Sequence, residues 1–116
     1  MQRPLRLRHK QDFARLRAEG RTWRHRLVIV SVVPNQLAHN RYGFVTGKRL
    51  GNAVTRNRVR RLMREAARLA HPNLLPGHDI AFIARGPIAK QPFDAVHAAL
   101  HDTLCQAGLW HEETGA

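Results

Sequence analysis

Residues 43–68 read GFVTGKRLGNAVTRNRVRRLMREAAR, and the reading of this stretch decides the fold. It opens as a short apolar run, passes through Gly47 and Gly51, and then turns strongly helical in pattern. At about 100° per residue, Val59, Leu62, Met63, Ala66 and Ala70 share one narrow stripe. Asn57, Arg60, Arg61, Arg64 and Arg68 share a second stripe roughly opposite, flanked by Arg56 and Arg58. One face therefore buries against a core. The other carries guanidinium groups that meet either water or an anion.

A solvated basic face is the plain alternative. Solvated helix faces usually mix signs, because acid–base pairs four residues apart support the helix. Here Glu65 is the only acid, and Arg is preferred to Lys. Arg offers a planar fork of donors that matches phosphate oxygens two at a time. A nucleic-acid backbone is the expected partner.

The totals agree. The chain has 116 residues, the length of one domain with a single modest core, and a formal net charge of +12. The charge is unevenly placed: residues 1–68 hold 18 of the 20 Lys and Arg and three of the eight acids, Asp12, Glu19 and Glu65. Such asymmetry marks a polyanion-binding surface rather than mere solubility. The single cysteine, Cys105, excludes an internal disulfide framework and fits a reducing compartment. The start, MQRPLRLRHK, has no signal-peptide core, and the apolar run at 27–33 is too short to span a bilayer. No segment pairs a basic face with Trp or Phe anchors, so a membrane surface is not the expected partner. The expected location is cytoplasmic.

Outward from the basic helix, Asn52 is its expected N-cap and His71-Pro72 its end. The glycines of the preceding turn would let backbone approach a phosphate at the helix N-terminus. Residues 1–9 read as a loosely held basic arm, and 10–19 as a helix with Phe13 and Leu16 on one side and Gly20 as C-cap. Residues 22–26 read as a short strand or hairpin arm. Residues 27–33, rich in β-branched side chains, read as a strand buried on both faces. A second strand at 41–46 is expected antiparallel to it, given the short link. A third at 79–85 is entered after a helix and is therefore expected parallel to the second. Pro92 opens a last helix with Phe93, Val96, Leu100, Leu104 and Ala107 buried, Gly108 stops it, and 110–116 read as a frayed tail. The class is α+β, with three helices packed on a small mixed sheet.

Few residues suggest chemistry. His97, His101 and Cys105 are each four apart on the last helix, but zinc needs further ligands that nothing identifies. No metal site is expected, and Cys105, beside the apolar stripe, reads as a buried, inert thiol. Metal-dependent phosphodiester cleavage usually employs paired carboxylates. Asp12, Glu19 and Glu65 form no such pair in the sequence. No catalytic residue is expected in this chain. A protein that works on nucleic acid without these groups leaves the cutting to a partner.

The segment LGNAVTRNRVRRLMREAAR closely resembles the signature of the protein subunit of bacterial ribonuclease P. RHKQDFARLRAEG is similar to that family's first helix, YGFVTGKRLGNAV to its strand and turn, and DIAFIARGP to its last strand. The resemblance implies an α/β sandwich whose crossover through the basic helix is left-handed, against the general rule. It implies a large RNA subunit that, with Mg²⁺, cleaves the 5′ leader from precursor tRNA. The partners so implied are the ribonuclease P RNA and precursor tRNA, with no protein partner required. By position, Lys48, Arg49, Asn52, Arg56, Asn57, Arg58, Arg60, Arg61, Arg64 and Arg68 match the RNA-binding signature. Phe13 matches an aromatic on the first helix that faces the leader, and stacking there competes with a plain core role. Where some members carry further aromatics, this chain has Arg17 and Ser31, which shifts leader contact from stacking toward charge. Phe13, Arg15, Arg17 and Ser31 are thus the candidate leader contacts. A ribosomal or general RNA-binding protein without a processing role fits the charge asymmetry equally well.

Overall fold

The computed structural model describes residues 5–111. The elements in order are α1 (Lys10–Glu19), β1 (Arg21–Arg24), β2 (Val28–Pro34), β3 (Arg41–Val45), α2 (Ala53–Ala70), β4 (His78–Ala84) and α3 (Phe93–Gln106). Short 3₁₀ turns at Lys48–Leu50, His71–Asn73 and Gly86–Lys90 join them. The architecture is α+β, three helices on a four-stranded mixed sheet, as the residue pattern implies.

The strand order is β1-β2-β4-β3. β1 and β2 form an antiparallel hairpin, so the segment expected as strand or hairpin arm is both. β3 does run opposite to β2, but β4 lies between them, antiparallel to β2 and parallel to β3. The short link between β2 and β3 fixes direction, not adjacency. Its residues need only cross two strand spacings, about 10 Å. β4 is buried along most of its length, as a central strand should be.

The pleat sorts side chains cleanly. Val28, Val30 and Val32 of β2, Tyr42 of β3 and Ile80 and Phe82 of β4 enter the main core with α2 and α3. Tyr42, Phe82 and Phe44 stack across β3 and β4, with centroids 6.4 and 5.7 Å apart. α2 presents Val59, Met63, Ala66, Ala67 and Ala70 to this core, the expected stripe with Ala67 added and Leu62 only partly buried. α3 buries Val96, Ala99, Leu100, Thr103 and Leu104. Cys105 falls one position beyond that stripe and is exposed, against expectation, with its sulfur 3.7 Å from His101 Nε2.

Among the described residues, α1 and Leu7 of the preceding arm cover the opposite sheet face. A separate small cluster forms there from Leu7, Leu16, Val33 and Ala81, with Phe13 packed against it. Leu7 belongs to the arm expected to be loose, yet it is buried, and its N–H donates to Tyr42 O at 2.8 Å. At the other end, Trp110 bridges to Leu74 instead of fraying. Residues 1–4 and 112–116 of those two expected tails lie outside the described residues.

Candidate nucleic-acid interface

The basic helix begins at a built stop. Asn52 Oδ1 accepts from Thr55 N–H at 2.9 Å, the expected N-cap. Gly51 precedes it at φ +140°, a conformation that favours glycine. Lys48 and Arg49 sit exposed on the 3₁₀ turn just before, lining a cavity of about 350 Å³ with Gly47 and Gly86.

The arginines of α2 divide by what they touch. Arg58 donates to Ala89 O at 3.2 Å and Gln91 O at 2.9 Å, tying the helix to the 86–90 turn. Arg58 is half-buried, and these two bonds give it a structural role beside the RNA contact expected of it. Arg68 makes a two-point pair with Glu65 at 2.6 and 2.9 Å, on an exposed face. Arg60 donates to Asn57 Oδ1 at 2.8 Å and Thr46 Oγ1 at 2.6 Å, both neutral acceptors. Arg61 is exposed, and Arg56 is half-buried with its Nε lacking a hydrogen bond.

Arg60 and Arg64 converge with Arg6 around a cavity of about 170 Å³ whose floor includes Phe13 and Phe44. Burial, then the charges of Arg6 and Arg60, push the Arg64 pKa down from its ordinary value. An anion in this cavity would relieve that repulsion. Sequence reasoning missed Arg6. No periodicity places a residue of the arm beside α2; only the Arg6–Tyr42 bridge does.

Phe13 also borders a cavity of about 510 Å³ between α1 and the sheet. Leu16, Arg17, Thr22 and Ser31 line it, so Phe13, Arg17 and Ser31 are brought together as expected sites. Ser31 is buried, with its hydroxyl 3.5 Å from Leu16 O. Val45 and Ile83 border both this cavity and the one at Lys48 and Arg49, so the two adjoin as neighbouring parts of one trough-like face. None of the described residues lining these three cavities is acidic.

Arg15 is elsewhere. Its guanidinium donates to Pro34 O at 2.7 Å and to Asp79 Oδ2 at 2.6 Å. Arg15, a candidate leader contact in the sequence, is held in a structural pairing with a third of its side chain still exposed. Arg41 reaches the same carboxylate at 2.8 and 2.9 Å, and Asn35 Nδ2 donates to it at 3.0 Å. Burial alone would raise the Asp79 pKa. Hydrogen bonds from Arg41 and Asn35, with the Arg41 and Arg15 charges, outweigh it and hold the carboxyl below its ordinary value. Asp12, the other acid near this end, pairs with Arg41 at 3.3 Å.

Fold and site together define a small α+β protein with an arginine-bearing helix and a cationic trough lined by no described carboxylate. The ribonuclease P family model matches residues 1–108, and the chain belongs to the ribonuclease P protein family. A ribonuclease P protein component from Roseiflexus sp. (strain RS-1) is 46% identical over 110 residues, 94% of this chain and 90% of that one. One from Herpetosiphon aurantiacus is 44% identical, over 97% of this chain and 91% of its own. The Staphylococcus aureus RNase P protein structure superposes with a TM-score of 0.84 at 30% identity, covering 92% and 98% of the two chains. The Thermotoga maritima RNase P protein gives 0.81 at 28%, covering 87% and 96%.

Proposed function

We propose that this chain is the protein subunit of a ribonuclease P ribonucleoprotein, holding the catalytic RNA and the 5′ leader of precursor tRNA while the RNA cleaves. The observation that carries this is the convergence of Arg6, Arg60 and Arg64 beside a trough without described carboxylates. Phosphates are the anions such forks match, and the largely apolar trough with its cationic rim suits an unpaired strand. α2, with Arg60, Arg61 and Arg64, docks the RNA subunit. Phe13, Arg17 and Ser31 receive the leader.

Asp12 and Asp79, on the α1 side of the sheet, each pair with arginines. Among the described residues, no group of three or more His, Cys, Asp or Glu could hold a metal ion. In this reading Mg²⁺ is assigned to the RNA, and the protein supplies binding and orientation. No described helix is long and apolar enough to cross a membrane. The proposed place of work, beside its RNA substrate, is the cytoplasm.

Reconstitution tests the proposal. Purified protein, a bacterial ribonuclease P RNA and precursor tRNA are combined at low Mg²⁺, and mature 5′ ends are counted. Faster leader removal than with RNA alone is expected. No gain would overturn the assignment in favour of general RNA binding, and cleavage by the protein alone would overturn the division of labour.

A further inference from the structure

We propose that Arg15 and Asp79 act as a positioning pair that sets the stance of α1, and with it the width of the leader trough. The inference rests on the assignment of that trough to the leader. α1 contributes nothing to the main core; it docks through a small separate cluster to which it gives buried Leu16 and half-buried Phe13. So modest an apolar contact leaves the helix's setting to be fixed by something directional.

The Asp79 network supplies it. Asp79 stands in register with Val33 on one side and Arg41 on the other, with its side chain wholly buried on the α1 face. It accepts four hydrogen bonds, which fills the capacity of a carboxylate. Arg15 comes from α1; Arg41, tied by Asp79, reaches back to Asp12 one turn earlier on the same helix. Two residues of one helical turn are thus pinned to the end of the sheet. Phe13 and Arg17, from the same two turns, face the trough. Rotation of α1 about its axis would break the pinning bonds and carry Phe13 and Arg17 away together. Arg15 acts through the helix, without touching the leader.

The test uses reconstituted holoenzyme with Arg15→Met, which keeps the apolar stem, and Arg15→Lys, which keeps the charge. Affinities for precursor tRNA with and without its leader are compared, alongside affinity for the RNA subunit. Arg15→Met is expected to lose about tenfold of the preference for leader-bearing substrate, the cost of a binding surface no longer pre-organised. RNA-subunit affinity should stay unchanged, and Arg15→Lys should recover most of the preference. Hydrogen exchange should quicken in α1 and not in β2 or β4. Full preference in Arg15→Met would overturn the inference, as would an equal loss in RNA-subunit affinity. If the wild-type holoenzyme shows no leader preference at all, the trough assignment itself fails.

Discussion

Gly43 lies directly under the ring of Phe13, so that a Cβ at residue 43 would stand 2.7 Å from two ring carbons. Leu7 Cβ would be 3.3 Å away on the same side. The glycine is therefore a seat for the aromatic that borders both the trough and the arginine cavity. Gly43→Ala should push the ring outward at a cost of about 1–3 kcal/mol, the range for overpacking. Thermal unfolding checks the cost. Phe13→Leu should weaken leader-bearing substrate without comparable loss of stability, and equal affinity in that variant would leave Phe13 a packing residue only.

The division among the α2 arginines predicts opposite phenotypes on one helix. Arg58→Ala removes two hydrogen bonds to carbonyls of the 86–91 segment and should cost about 1–3 kcal/mol of stability. Its salt dependence of RNA binding should match wild type. Replacing Arg60, Arg61 and Arg64 together by Ala should flatten that dependence by about 0.7–0.9 log units for each phosphate no longer neutralised. Binding measured from low to moderate salt distinguishes them, and an unchanged slope in the triple variant would show that this face meets no phosphates.

Asp79 should govern the acid limb of stability. Its folded-state pKa lies below the unfolded value of about 3.9. The pair's contribution is therefore complete above that unfolded value and is lost as pH falls through the lower, folded one. Asp79→Asn should flatten the limb below about pH 4 and cost roughly 3–5 kcal/mol at neutral pH, the scale for breaking a buried pair. Denaturant titrations from pH 2 to 7 measure both effects.

A second pH effect comes from the far end of α2. Tyr42 Oη lies 2.6 Å from His71 Nδ1, and burial raises the phenol to about 12, so it remains a donor at neutral pH. Burial, then the neighbouring His39, lowers the His71 pKa. Stability linked to His71 is thus present above its unfolded pKa of about 6.5 and declines as pH falls through the lower folded value. Tyr42→Phe should cost about 1 kcal/mol at pH 8 by orphaning the acceptor. Melting curves at pH 5 and pH 8 compare the two.

What the residues reveal on their own follows their range of interaction. The apolar stripe of α2 is legible because Val59, Met63, Ala66 and Ala70 repeat at the helical period, and its cap because Asn52 acts three residues away. Asp79 reads only as the start of a strand, because its partners Arg15 and Arg41 are 64 and 38 residues distant. For the same reason the internal partners of Arg15 and Arg58 are invisible in the sequence: charge alone does not tell a guanidinium facing solvent from one that meets a carbonyl or carboxylate. The placing of β4 between β2 and β3 is equally hidden. A short link constrains which way a strand runs, and leaves open what comes to lie beside it.

That late strand has a consequence for how the chain comes into being. β2 and β3 share no partner until β4, at His78–Ala84, has been made, yet α2 ends at Ala70. On the ribosome every arginine of the basic helix emerges before β4, the strand that joins β2 to β3 beneath its apolar stripe. Folding must then close long loops last, the slow kind of closure. The newborn protein therefore carries its arginines into the open before β4 and α3 have completed the core behind them.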